Sequence, residues 1–391
     1  MVLDEKIRAL IFTGIGHYLN DTFLVLLSIL IVYYLVEGIS PVFLAIASAV
    51  YGVISGLLSA PIGGLADRKQ NYAELMFFGF FLIGMSNILF AVSFLVYKLY
   101  FIAVGSVMLG SGAAFYHPLG GSILQIKYGG KEAPKALGIN GSLGSLGRAI
   151  SPTLLVLLLT FLGKVRGMLV VSIYTFVLGI IVYLGLRGLT IIVSGDKTKA
   201  VKSSIRKYTY LLLPLSIMIF VRSMFTFGVM MYIPSYMTYL YKSTIVMGLV
   251  LTVSYSMAIF GQPYFGRITS SLGGRMVLII TTVGATVSFL LFILLKGFYV
   301  QIILFAIYSF FAYSGFPNLL GYVGQVVDRG ALTRANGIVW GIGNSVGGAI
   351  GVLLGGSLIA SIGLEAVMWV FAAIAVASTA LLAILPKQRG A

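Results

Sequence analysis

The sequence predicts an all-α membrane protein of twelve spanning helices arranged as two six-helix halves. Three observations carry that expectation. Of 391 residues, 59% are hydrophobic and only 9% charged, whereas a soluble domain carries roughly a quarter of its residues as charge. Apolar stretches of about 20 residues, long enough to cross a bilayer as helix, recur along the whole chain. A cationic interval from Arg187 to Lys207 falls near the midpoint, with as much apolar chain before it as after, and such an interval cannot sit in hydrocarbon.

Charged and Gly/Pro-rich points divide the chain into helices at 7–35, 42–66, 73–95, 98–126, 133–161, 166–187, 208–240, 244–267, 275–295, 298–326, 332–360 and 364–385. Most exceed the minimum span, so tilt is expected. With the N-terminus inside, inner loops carry 19 Lys or Arg against 5 on outer loops. Both termini and the linker therefore read as cytoplasmic, in the cytoplasmic membrane. The formal charge of +16 then reflects cationic loops beside anionic lipid, not a nucleic-acid surface. The absence of cysteine excludes disulfides and thiolate metal sites. The first apolar run, with His17, Asn20 and Asp21 inside it, suits a retained helix better than a cleaved signal.

An internal repeat appears at an offset of 199 residues, pairing Pro118 with Pro317, Gly138 with Gly337, Ile139 with Ile338 and Gly144 with Gly343. It divides the chain into an N-terminal half at 1–187, a linker at 188–207 and a C-terminal half at 208–391.

Buried polar residues point to the chemistry. His17, Asn20 and Asp21 share one side of helix 1. A carboxylate at that depth must be hydrated, paired or protonated, so Asp21 is expected at a central cavity, exchanging a proton with help from His17. His117, beside the helix-bending Pro118, is a candidate proton relay or substrate contact. Arg148 and Arg222 lie near mid-membrane. One of them can neutralise Asp21 and the other cannot, which argues for an anionic substrate. Asn20, Tyr232, Tyr236 and Asn344 are further candidate substrate contacts, and Tyr18, Tyr255, Gln262, Tyr313, Asn318 and Trp340 are possible lining groups. A metal site is not expected, because the two histidines stand far apart in depth and His117 has no local carboxylate.

Gly63-Gly64-Leu65-Ala66-Asp67-Arg68 after helix 2, with a decayed copy, Gly266, Gly273 and Arg275, after helix 8, resembles the loop signature of the major facilitator superfamily. The resemblance implies the major facilitator fold and transport by alternating access. His17-x-x-Asn20-Asp21 and Phe115-Tyr116-His117-Pro118 resemble the fosmidomycin-resistance type of exporter, although Leu119 stands where that group usually carries an acid. Gly138, Gly141, Gly144 and Gly147 before Ser151-Pro152 resemble the superfamily's antiporter motif. Asp67, Arg68, Gly144, Gly147 and Pro152 are accordingly expected in the conformational gate.

The resulting expectation is a secondary transporter, working as a monomer in lipid, that exports a small anionic or amphiphilic compound against protons. The alternative is a proton-coupled importer or facilitated carrier of organic or inorganic anions. No clustered catalytic acids, cofactor motif or phosphate-cradling lysine loop is present, so neither an enzyme nor a cofactor or ATP requirement is expected. Moving glycine-rich helices argue against a channel. The charge bias makes a first prediction: a cysteine replacing Lys199 in this cysteine-free chain is labelled by a membrane-impermeant maleimide only after the cells are opened. Labelling in intact cells would invert the topology.

Overall fold

The computed structural model describes residues 4–129, 132–189, 208–327, 335 and 338–385, and every regular element among them is helical. The Asp4 carboxylate accepts the backbone N–H groups of Lys6 at 2.7 Å and Ile7 at 3.4 Å, capping α1 (Glu5–Thr22). The crossing expected as one helix at 7–35 is broken. After α1, residues 23–25 form a turn and α2 (Leu26–Val36) resumes. Thr22 Oγ1 donates back to the Tyr18 carbonyl at 2.8 Å, a bond that bends helices.

There follow α3 (Pro41–Lys69), α4 (Tyr72–Ser93), α5 (Lys98–Tyr128), α6 (Ala133–Phe161), α7 (Lys164–Leu186), α8 (Thr209–Tyr241), α9 (Thr244–Leu272) and α10 (Gly274–Leu294). The tenth crossing, expected as one helix at 298–326, is also broken, into α11 (Phe298–Ala312) and α12 (Phe316–Val326). Pro317 has no N–H to continue the ladder and disfavours helical backbone before it. Its repeat partner Pro118 sits inside an unbroken α5. A π-helical stretch, Ile338–Val346, leads into α13 (Gly347–Ala380). Two crossings meet in α13 at Gly363, whose φ of 81° is a left-handed value that glycine adopts freely. Among the described residues ten segments are individually long and apolar enough to cross a membrane. Counting Ile338–Ile384 as two passes and adding α11 with α12 gives twelve.

Glycines set the contacts across the central linker. On α6, Gly138 and Gly141 meet Pro263 and Gln262 of α9. On α3, Gly52 meets Ala349, and Gly56 meets Gly341 and Ser345. Without side chains at these points the backbones approach closely, which is how helices associate where no hydrophobic force separates protein from lipid. The linker at 188–207 lies almost wholly outside the described residues.

At one membrane edge Glu37 joins the first, fourth and sixth crossings. Its carboxylate accepts from Lys98 Nζ and from Lys164 Nζ, each at 2.5 Å. Burial alone would raise its pKa, but the two ammonium groups outweigh burial and hold the carboxyl below the usual carboxylate range. Because the folded value is depressed, the stabilisation is fully present above the unfolded value of about 4.3 and is lost as pH falls through the folded one. Glu37→Gln is therefore predicted to cost on the order of 1 kcal/mol near neutral pH. In thermal unfolding of detergent-solubilised protein, the gap from wild type should close only below about pH 4. A gap independent of pH would dismiss the ion pairs as its source.

Candidate functional site

The two broken crossings face each other across a cavity of about 1320 Å³, part of it open to the surroundings. One wall presents His17, Asn20, Asp21, Tyr51, His117 and Arg148, and the other presents Arg222, Met231, Gln262, Tyr313, Trp340 and Asn344. The depth at which α1 stops is the depth of its charged group.

Asp21 is completely buried and forms an ion pair with NH1 of Arg148, itself 8% exposed. NH2 of Arg148 donates to Ser145 Oγ at 2.8 Å and to the Tyr313 carbonyl at 3.3 Å. The arginine that neutralises Asp21, left open by the sequence, is thus Arg148. Gly144 makes room for this group. A methyl there would lie 2.6 Å from His17 Nε2 and 2.8 Å from Asp21 Oδ2. Gly147 is packed against Thr22 and the Tyr18 backbone.

His17 places Nε2 3.4 Å from Asp21 Oδ2 and Nδ1 2.7 Å from Asn140 Oδ1. Thr13 Oγ1 donates to the Ala9 carbonyl at 2.7 Å, so it can only accept from Asn140 Nδ2, 3.1 Å away. That fixes Asn140 Oδ1 as the acceptor toward His17, and Nδ1 as the ring nitrogen bearing hydrogen. Nε2 would then turn a lone pair toward a carboxylate unless a further proton lies between them.

His117 completes the group, with Nε2 3.8 Å from Asp21 Oδ1. Asn20 Nδ2 donates to Asp21 Oδ1 at 3.1 Å and lies 3.3 Å from His117 Nε2. The premise that the histidines are far apart in depth is overturned. Their rings are 5.4 Å apart, and the ligand atoms of His17, Asp21 and His117 lie within 4.8 Å of one another. Arg148 occupies the same carboxylate, however, and its charge opposes a divalent ion there, so the group does not read as a metal centre.

Arg222 stands differently. It is 6% exposed, its NH2 donates to the Ala312 carbonyl at 3.2 Å, and Nε has no hydrogen-bond partner. No carboxylate pairs with it among the described residues. The break between α11 and α12 frees the carbonyls involved, and Tyr313 also accepts from Gln262 Nε2 at 2.9 Å. One unwound turn thus holds both buried arginines.

Asn344, in the π-helical stretch, accepts from Ser223 Oγ at 3.0 Å and lines the cavity. Tyr232 and Tyr236, expected as substrate contacts, lie off its walls. The Tyr232 hydroxyl donates to the Val352 carbonyl at 2.7 Å, and Tyr236 packs on Phe292. Tyr18, Tyr255 and Asn318 are likewise off the cavity. The Pro152 carbonyl abuts Gly248 of α9. Asp67 and Arg68 fall in the last turn of α3, and their side chains lie outside the described residues. Sequence reasoning missed Asn140, Ser145 and the Ala312 and Tyr313 carbonyls. An amide deep in an apolar helix was the available signal for Asn140, and Ser314-Gly315 before Pro317 was the signal for the freed carbonyls.

The sequence profile of the Major Facilitator Superfamily matches residues 10–245 and again 215–390. The chain belongs to this superfamily. It is a multi-pass membrane transporter rather than an enzyme, and its fold is shared with the nucleoside transporter NupG, whose crystal structure, of a point mutant, matches at a TM-score of 0.73. That match covers 98% of this chain and all of the other at 14% identity, so it speaks for the fold alone. No curated protein matches the chain.

In a major facilitator the site lies where water and hydrocarbon compete, so the ion pair is predicted to behave as a unit. Arg148→Gln leaves a buried carboxylate unpaired and should cost about 3–5 kcal/mol of stability. The double variant Asp21→Asn/Arg148→Gln should recover most of that loss in the same unfolding assay. Additive losses would mean that the two residues are not coupled.

Proposed function

We propose that this transporter is a proton-coupled carrier of a small anionic or amphiphilic compound across the cytoplasmic membrane, working by alternating access. In this reading the halves at 1–187 and 208–391 move as bodies joined by a cytoplasmic linker at 188–207. Both termini are cytoplasmic, and a monomer in lipid is sufficient. The observation that carries the anionic reading is the charge balance of the cavity. Asp21 is matched by Arg148, while among the described residues Arg222 has an unpartnered Nε and no carboxylate, so one positive charge awaits the ligand. A neutral substrate such as a nucleoside would leave that charge uncompensated.

Asp21 with His17 carries the exchangeable proton, and His117 lies within reach to relay it. Asn20 and Asn344 supply neutral polar contacts. Gly144, Gly147 and Pro152 let α6 shift against α1 and α9, and Asp67 with Arg68 closes the cytoplasmic end. The direction of transport has two readings. Likeness to the fosmidomycin-resistance exporters favours export in exchange for protons. The electrostatics of the cavity favour the other reading. Each proton added to the His17–Asp21 contact makes the cavity more positive and an anion more welcome, which couples proton and anion in one direction, as in uptake.

Both readings are tested in proteoliposomes under an imposed pH gradient. Asp21→Asn is predicted to abolish gradient-driven accumulation of a bound anion while exchange without a gradient survives. Accumulation toward the alkaline side identifies uptake together with protons, and accumulation toward the acidic side identifies exchange. Unchanged proton-driven transport in Asp21→Asn would remove Asp21 from coupling.

A further inference from the structure

We propose that the cavity is built for an amphiphilic monoanion held lengthwise along α8, its charged group at the break between α11 and α12 and its apolar body on the cavity-lining side chains beyond. The inference rests on the anionic reading above and specifies the substrate class.

The charged end is a compound site. The backbone of Gly315 caps the N-terminus of α12, and a methyl built at Gly315 would lie 3.6 Å from Arg222 NH1. Glycine thus keeps the approach to the guanidinium clear. Both the guanidinium and the positive end of the α12 dipole favour an anionic group. The helix end alone would signify little. Beside it, Arg222 is more than nine-tenths buried with a donor unspent, and a buried donor of that kind is costly unless something accepts from it.

The body of the ligand is located by what surrounds Arg222 on either side. Toward the start of α8, Ile219, Leu278, Leu319 and Trp340 line the cavity and belong to one apolar cluster. Toward the end of α8, Thr226, Phe227, Met230 and Met231 line the cavity beyond Arg222. From Arg222 to Met231 this lining runs about 13 Å at 1.5 Å rise per residue. Methionine and phenylalanine accept varied apolar shapes without a fixed hydrogen-bond pattern.

With the His17–Asp21 contact unprotonated, one charge is the number the cavity can neutralise: Asp21 is matched to Arg148, and a monoanion brings Arg222 to balance. A dianion is balanced only when that contact also holds a proton, so without one a monocarboxylate is favoured over a phosphonate dianion.

The test uses four probes on the full chain in lipid nanodiscs, with Trp369→Phe so that Trp340 in the cavity is the sole indole reporting binding. Octanoate should bind at least about tenfold tighter than acetate, which lacks the chain. It should exceed its neutral isostere octanamide, and suberate with its second carboxylate, by a similar factor. Arg222→Gln should bring octanoate and octanamide within about twofold of each other while octanamide affinity holds, and Arg222→Lys should keep part of the preference. Met231→Gln should shrink the advantage of octanoate over acetate.

If acetate and suberate bind as tightly as octanoate and all three are lost in Arg222→Gln, the amphiphile assignment is overturned and the anionic reading stands. If octanoate and octanamide bind alike in the wild-type cavity, both fail. The wild-type series decides the matter even where an arginine variant does not fold.

Discussion

A carboxylate and a guanidinium paired in hydrocarbon depth constrain everything around them. Neither charge survives there alone, because burial of an unpaired ion costs several kcal/mol. The pair also needs more hydrogen bonds than each other's. Arg148 takes the Ser145 hydroxyl and a main-chain carbonyl, and Asp21 takes the Asn20 amide. Space for the group comes from a missing side chain at Gly144. Ser314, Gly315 and Pro317 at the second break make sense in these terms: unwound backbone is tolerated in a membrane only where it faces protein or water, and here it supplies the Ala312 and Tyr313 carbonyls that the arginines need.

The two halves solve this problem unequally although they repeat one another. Pro118 lies within a continuous α5, while Pro317 accompanies a break. The difference follows from the company each proline keeps. Two residues before Pro317 stands Gly315, with Ser314 ahead of it. The corresponding residues before Pro118 are Tyr116 and Phe115, which are buried in packing against neighbouring helices. A side chain that packs holds the backbone in helix, and its absence lets the chain unwind. The repeat thus supplies a common scaffold on which one half carries the Asp21–Arg148 pair and the other a cation with no carboxylate partner among the described residues.

Much of this was legible in the sequence. Hydropathy places the crossings, and the charged residues buried inside them name Asp21, Arg148 and Arg222 because so few such residues exist. What spacing could not convey was convergence between helices. His17 and His117 lie a hundred residues apart on different helices, yet His17 stands 12 residues from the start of α1 and His117 11 residues from the end of α5, so rise per residue sets them at nearly one depth. The packing of α1 against α5 brings their rings to 5.4 Å. Tyr232 and Tyr236 have the chemistry of a ligand contact, yet they sit a turn apart on the side of α8 that packs into protein and not on the side that lines the cavity. Helical phase, not residue type, decides which tyrosine meets a ligand. Asn140 stands among helix 5 glycines that signal packing, yet its amide is what fixes the His17 tautomer.

On the reading proposed above, in which the His17–Asp21 contact exchanges a proton and Arg222 takes an anion, the two groups are not independent, because they share the unwound turn at Tyr313. Arg148 is held from one side by Asp21 and from the other by the Tyr313 carbonyl, and the neighbouring Ala312 carbonyl holds Arg222. A proton settling on Asp21 weakens its grip on Arg148, and the guanidinium then leans more fully on the carbonyl at the break. The same event adds positive charge to the cavity that Arg222 faces. Protonation thus acts on an anion twice, through the field and through the turn that positions its binding group, with the same sign each time. Linkage requires the converse: an anion at Arg222 stabilises the protonated form of the His17–Asp21 contact by the same free energy. Exchange of an anion for a proton would need a third element that reverses this sign, such as a conformation in which Asp21 itself lies in the path of the ligand. Co-transport needs nothing beyond the geometry already present.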